Sequence, residues 1–256
     1  MYHLFKRGEI MALREEFEKT GNWLFRHRGN LPLLMVGLIF ICMMKFHYLG
    51  NSESLDMLWE AFCFFVSFLG LGIRILTIGH TPQGTSGRNT REQIAETLNT
   101  SGMYSIVRHP LYLGNFFIWL GIVLFAHQWK LTLICVLSFW IYYERIMFAE
   151  EAYLIRKFGK AYEDWASETP AFIPNLKKWK SPELPFSLRN VLKREYNGFF
   201  VIVLAMFSLE ITGNFFVDGK LEIGPAWGII LAVGFIIWTT LRIMKKKTML
   251  LHVEGR

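Results

Sequence analysis

The residues with most chemical potential lie in two clusters. The first is Thr100–Asn115, where Arg108 and His109 stand directly before Pro110, which opens an apolar run. A proline at a helix start, with backbone N–H groups and two potentially cationic side chains beside it, makes an anion site. Gly114, one turn on, would let a ligand or another helix approach the backbone. The second cluster is Glu144-Arg145 and Glu150-Glu151, followed by Tyr153, Phe158-Gly159 and Tyr162. Adjacent carboxylates next to hydrocarbon are costly unless solvated or paired. Taken singly, each cluster also reads as interfacial anchoring or a solvated helix face.

Other chemistries lack their residues. The seven histidines form no i, i+3 or i, i+4 pair, so no HExxH metal site is expected, and no GxxxxGK[ST] or GxSxG stretch occurs. Cys42, Cys63 and Cys135 sit in apolar stretches without a CxxC and read as small buried hydrophobes. No aromatic-basic module points to nucleic acid.

The elements that must carry these clusters are membrane helices. Of 256 residues 52% are hydrophobic and 16% aromatic, mean hydropathy is +0.28, and the net charge is +7. Very apolar segments therefore alternate with basic ones. Long apolar runs cover 31–48, 57–78, 111–126, 131–148, 196–217 and 223–241. The expectation is an all-α integral membrane protein of about six transmembrane helices, the third and fourth short and joined as a tight hairpin by His127–Lys130. All but four of the 28 Lys and Arg (Lys45, Arg74, Lys130 and Lys220) fall on alternate connections. Both termini are thus expected in the cytosol, at a bacterial inner membrane or a eukaryotic endomembrane, and the polar chemistry at that face. Lys45 and Arg74 read as snorkelling side chains. Ahead of the first span, Ile10, Leu13, Phe17, Leu24 and Phe25 recur at helical spacing and predict an amphipathic interfacial helix. No cleavable signal peptide is visible.

Together and in order, Tyr104, Arg108-His109-Pro110, Tyr112 and Gly114, then Glu150-Glu151, Phe158-Gly159, Tyr162 and Pro174, resemble the signature of the isoprenylcysteine carboxyl methyltransferase and phospholipid methyltransferase superfamily. The resemblance spans about residues 88–174. It implies an S-adenosylmethionine-dependent membrane methyltransferase with a cytosol-facing cofactor pocket and a lipid or lipidated substrate entering from the bilayer. Carried over by motif, Thr97, Leu98, Tyr104, His109, Pro110, Leu111 and Tyr112 would line the cofactor pocket, beside Gly114, with Glu150 on its other side. Arg145 lies near the family's substrate-facing arginine, one position out of register.

Methyl transfer from a sulfonium is an in-line displacement that needs alignment and exclusion of water. An anionic acceptor, carboxylate or phosphate, would be held by Arg108 or Arg145; an amine acceptor would need a base, for which Glu151 or Glu144 stand ready. The two arginines favour the anion. Alternative readings are a phospholipid amine N-methyltransferase, a reductase of the sterol-reductase kind using NADPH, and a non-catalytic scaffold. The expected organisation is an interfacial segment (1–30), two spans (31–78), the methyltransferase core (79–174), a basic cytosolic linker (175–195), and two further spans with a basic tail (196–256). In the carboxyl methyltransferases the signature is C-terminal, so this last pair is a departure.

Overall fold

The computed structural model describes residues 13–30, 32–85 and 93–256; expectations resting on Ile10 and on the stretch 86–92 lie outside them. Helices account for the architecture, and no strand occurs among the described residues. In chain order they are α1 (Leu13–Arg26), α2 (Pro32–Met43), α3 (Glu53–Gly79), α4 (Met103–Ile106), α5 (Pro110–Leu124), α6 (Trp129–Phe158), α7 (Lys160–Glu168), α8 (Leu188–Asp218) and α9 (Pro225–Lys247).

Four of these, α3, α6, α8 and α9, are long and apolar enough to cross a bilayer, while α2 and α5 are shorter apolar helices. At about 1.5 Å per residue, 12 or 15 residues fall short of a hydrocarbon core of about 30 Å. The fourth apolar run is not short: it belongs to the 30-residue α6. No helix breaker intervenes before Gly159, whose φ of 56° ends the helix in a conformation that L side chains rarely adopt. The expected linker 175–195 already contains the first turns of α8. Ser187 starts that helix by accepting from the Asn190 amide at 3.3 Å.

Burial of apolar surface assembles α2, α3, α5 and α8 around Ile39, Met43, Cys63, Leu71, Ile202 and Met206. Glycines let α3 and α5 approach closely. A Cβ on Gly114 would lie 2.5 Å from Arg74 Cγ and 2.8 Å from the Gly70 carbonyl oxygen, so the glycine is a seat for the arginine stem. The amphipathic α1 packs along α6, with Phe17 edge-on to Phe148 at 5.8 Å. The α5–α6 hairpin turn is pinned to the α2–α3 connection: His127 Nδ1 lies 3.1 Å from the His47 carbonyl, and Gln128 Nε2 donates to the Cys42 carbonyl at 2.6 Å.

Candidate functional site

Pro110 occupies the first turn of α5, with Arg108 and His109 immediately ahead of it. The chain returning from α7 clamps this stretch by its backbone. The Arg108 and His109 amides donate to the Pro170 and Ala171 carbonyls at 2.9 and 3.2 Å, and the Asn175 amide donates to the Ile106 carbonyl at 2.9 Å. Trp165 Nε1 donates to the Tyr104 carbonyl at 3.2 Å, tying α7 to α4. Both side chains of the Arg-His pair are thereby turned toward α6.

There they meet the two consecutive carboxylates. Arg108 Nη1 donates to Glu151 Oε2 at 2.9 Å, and His109 Nε2 lies 2.9 Å from Glu151 Oε1. The other nitrogen of His109, Nδ1, is 3.8 Å from Glu150 Oε2, which accepts from the Tyr112 hydroxyl at 2.9 Å. His109 is buried between the carboxylates and stacks on Tyr112, ring centroids 5.6 Å apart. Residues 42 and 38 apart in sequence thus form one charge-assisted network that satisfies the acids the sequence left exposed to hydrocarbon.

Next to this network opens a cavity of about 620 Å³, within the range of about 300–1,000 Å³ typical of small-molecule sites. Thr97, Leu98, Tyr104, Arg108, His109, Pro110, Leu111, Tyr112 and Glu150 all line it. Three other candidates stand elsewhere. Glu151 lies behind the wall, bonded to Arg108 and His109. Gly114 faces α3 and takes the Arg74 stem rather than a ligand. Arg145 stacks on the Phe17 ring of α1, 3.5 Å from its centroid, because α1 covers that face of α6.

Burial pushes the Tyr104 phenol up, and Glu150 adds to the effect; burial, then Glu151, does the same for Tyr162. Both phenols therefore remain neutral hydrogen-bonding groups at physiological pH. The Tyr162 hydroxyl and Arg108 Nε, buried at the cavity wall, make no well-formed hydrogen bond, although the Arg108 guanidinium adjoins the phenol. Orphaned polar atoms of this kind suit a ligand with polar groups of its own.

Sequence reasoning missed part of the wall: Phe25 on α1 and Arg28 just after it, Arg74 on α3, Asn115 on α5, Tyr143 on α6, and Arg194 and Glu195 on α8. Arg74 does not snorkel. Its Nε and Nη2 donate to the two carboxylate oxygens of Glu195 at 2.7 and 2.8 Å, and Nη1 donates to Asn115 Oδ1 at 2.7 Å. An intramembrane arginine called for a partner, but nothing local identified one 121 positions away.

A second, almost wholly apolar slot of about 290 Å³ lies between α5 and α6, closed by Trp23, Leu24 and Met35. Tyr143 is a wall of both spaces.

A helical membrane fold with an acid-cation network beside a ligand-sized cavity at one end of its helices defines a class of integral membrane enzyme. The family model "Phospholipid methyltransferase" matches residues 59–161. The chain is 30% identical over 162 residues to the nickel-cobalt-cadmium resistance protein NccN of Alcaligenes xylosoxydans xylosoxydans, covering 62% of this chain and 70% of that one. It is 28% identical over 162 residues to the cobalt-zinc-cadmium resistance protein CzcN of Cupriavidus metallidurans, covering 62% and 69%. It is also 41% identical over 78 residues to the protein-S-isoprenylcysteine O-methyltransferase of Schizosaccharomyces pombe, covering 30% and 33%. No solved structure matches. The chain belongs to the isoprenylcysteine carboxyl methyltransferase and phospholipid methyltransferase superfamily and is a membrane methyltransferase.

Proposed function

We propose that the protein transfers a methyl group from S-adenosylmethionine to an anionic carboxylate or phosphate of a lipidic acceptor at the cytosolic membrane face. The observation that carries this reading is the convergence of Glu150, Arg108, His109 and two tyrosine rings on one cavity. The donor set fits the cofactor. The Glu150 carboxylate suits an ammonium; Arg108 Nε, buried and unpartnered, and the α5 start suit a carboxylate; the Tyr104 and Tyr112 rings suit a sulfonium. When bound, S-adenosylmethionine supplies an electrophilic methyl on a cationic sulfur. Tyr112 holds Glu150 in place, and Glu151 holds Arg108 and His109, so the polar wall is oriented before any ligand arrives.

The acceptor's charge is argued from the wall itself. Arg28, Arg74, Arg108 and Arg194 line the cavity against the carboxylates Glu150 and Glu195, and both carboxylates are already hydrogen-bonded. An oxyanion needs no base, so an amine acceptor is the less supported reading. The lipidic character rests on the apolar slot that shares Tyr143 with the cavity. Two relatives are named for metal resistance; the transferase chemistry is carried over from the family model and the isoprenylcysteine methyltransferase, and no metal binding from these two. Among the described residues no three His, Cys, Asp or Glu side chains are grouped for a metal ion. The basic connections support a cytosolic placement of both termini.

The test is transfer of labelled methyl from S-adenosylmethionine into total membrane lipid by purified protein, with Glu150→Ala alongside. Label in an organic-phase product with the intact protein and not the variant supports the reading, and mass analysis of that product names the acceptor. Failure of the intact protein to bind S-adenosylmethionine sinks it.

A further inference from the structure

The segment matching the family model ends at residue 161, yet the cavity is completed by α8, which lies beyond it. The α8 contribution is specific. Glu195, 4% exposed, takes the side edge of the Arg74 guanidinium in a two-bond fork, and Asn115 takes a third N–H. Asn115 in turn donates through Nδ2 to the Tyr143 hydroxyl at 3.3 Å. Three of the five guanidinium N–H groups are thereby used inside the protein, leaving two for a ligand at the cavity wall. An arginine whose plane is locked by a fork presents its remaining donors in fixed directions, which suits the paired oxygens of a carboxylate or phosphate.

Resting on the methyltransferase reading above, we propose that Arg74 receives the acceptor's anionic head group and that Glu195 is the positioning residue that orients it, so α8 sets the charge specificity of the site. Glutamine at 195 would offer one acceptor oxygen and one NH₂, opposing an arginine N–H instead of binding it, and the fork would lose its register. Aspartate keeps the paired oxygens on a shorter stem. Lysine at 74 keeps the ion pair with Glu195 but has no planar fork.

The experiment uses the full chain in neutral detergent with three probes of equal chain length, dodecyl phosphate, dodecanoate and dodecylamine, and S-adenosylhomocysteine as an independent ligand. Both anions are expected to bind at least about tenfold more tightly than the amine, and their ratio tells phosphate from carboxylate. Glu195→Gln weakens both anions about tenfold, Glu195→Asp restores part of the loss, and S-adenosylhomocysteine binding stays within about twofold. Arg74→Lys, which retains the buried charge pair, gives the same loss and serves if Glu195→Gln does not fold. Equal or tighter binding of dodecylamine, or anion affinities unchanged in both Glu195→Gln and Arg74→Lys, overturns the proposal. If S-adenosylhomocysteine fails to bind the intact chain while the Glu195-dependent anion preference holds, the anion site stands and the cofactor reading falls.

Discussion

The Tyr112 hydroxyl donates to Glu150 Oε2 at 2.9 Å, linking the first turn after Pro110 to the C-terminal half of α6. The same carboxylate lies 3.8 Å from His109 Nδ1, so one side chain is positioned from two sides by residues three apart, one just ahead of α5 and one in its first turn. Glu150→Gln keeps the shape and removes the charge. The expected result is a loss of about 1.5–3 kcal/mol in S-adenosylmethionine affinity, read by calorimetry, with little change in fold. Tyr112→Ala should weaken that affinity more than Tyr143→Ala, because Tyr143 stands at the border with the apolar slot.

Gly114 and Gly72 give a matched pair of substitutions. Alanine at 114 drives a methyl into the Arg74 stem and the Gly70 carbonyl, whereas Gly72 has nothing within 4 Å. Gly114→Ala is expected to lower stability by about 1–3 kcal/mol, seen as a reduced Tm in detergent. Gly72→Ala should leave Tm unchanged or raised. Equal losses would mean that the α3–α5 contact is looser than described.

The two candidate arginines should separate. Arg108→Ala leaves Glu151, only 23% exposed at its side chain, without its cationic partner, and activity is expected to fall by at least about 100-fold. Arg145→Ala removes a contact with Phe17, a loss of about 0.5–2 kcal/mol in α1 docking, with most of the activity retained. A larger activity loss for Arg145→Ala would place the acceptor on the other face of α6.

Alkaline titration reports on the buried phenols. Burial raises the folded-state pKa of Tyr104 and Tyr162 above the ordinary value of 10.0, so the folded protein retains protons that the unfolded chain releases. Stability is therefore intact below about pH 10 and declines as pH climbs past it. Tyr162→Phe should flatten that decline, and at neutral pH it should cost little stability because the hydroxyl makes no well-formed hydrogen bond. A steeper decline in the variant would contradict the assignment.

Much of this molecule was legible in the chain because bilayer and helix impose strong periods. The runs 57–78 and 131–148 lie inside α3 and α6, and Gly159 ends α6. The site was legible where its parts are local: Arg108, His109, Pro110 and Tyr112 fall on one turn, and Glu150-Glu151 are adjacent. What was hidden depends on distant pairing. Arg74 read as a snorkelling side chain and Glu195 as linker because their partnership arises only when α8 packs against α3. Arg145 misled for the opposite reason, since α1, a surface element by its pattern, covers the face on which that arginine sits.

The hydrogen bonds from the Arg108 and His109 amides to Pro170 and Ala171 bear on thermodynamics as well as geometry. They are made by main chain alone, and they immobilise the motif when the protein folds. A ligand arriving later meets donors whose freedom has already been surrendered, so its own association need not bear that entropy. Binding strength at this site is therefore partly a property of the segment after α7, which itself contributes no charge to the network.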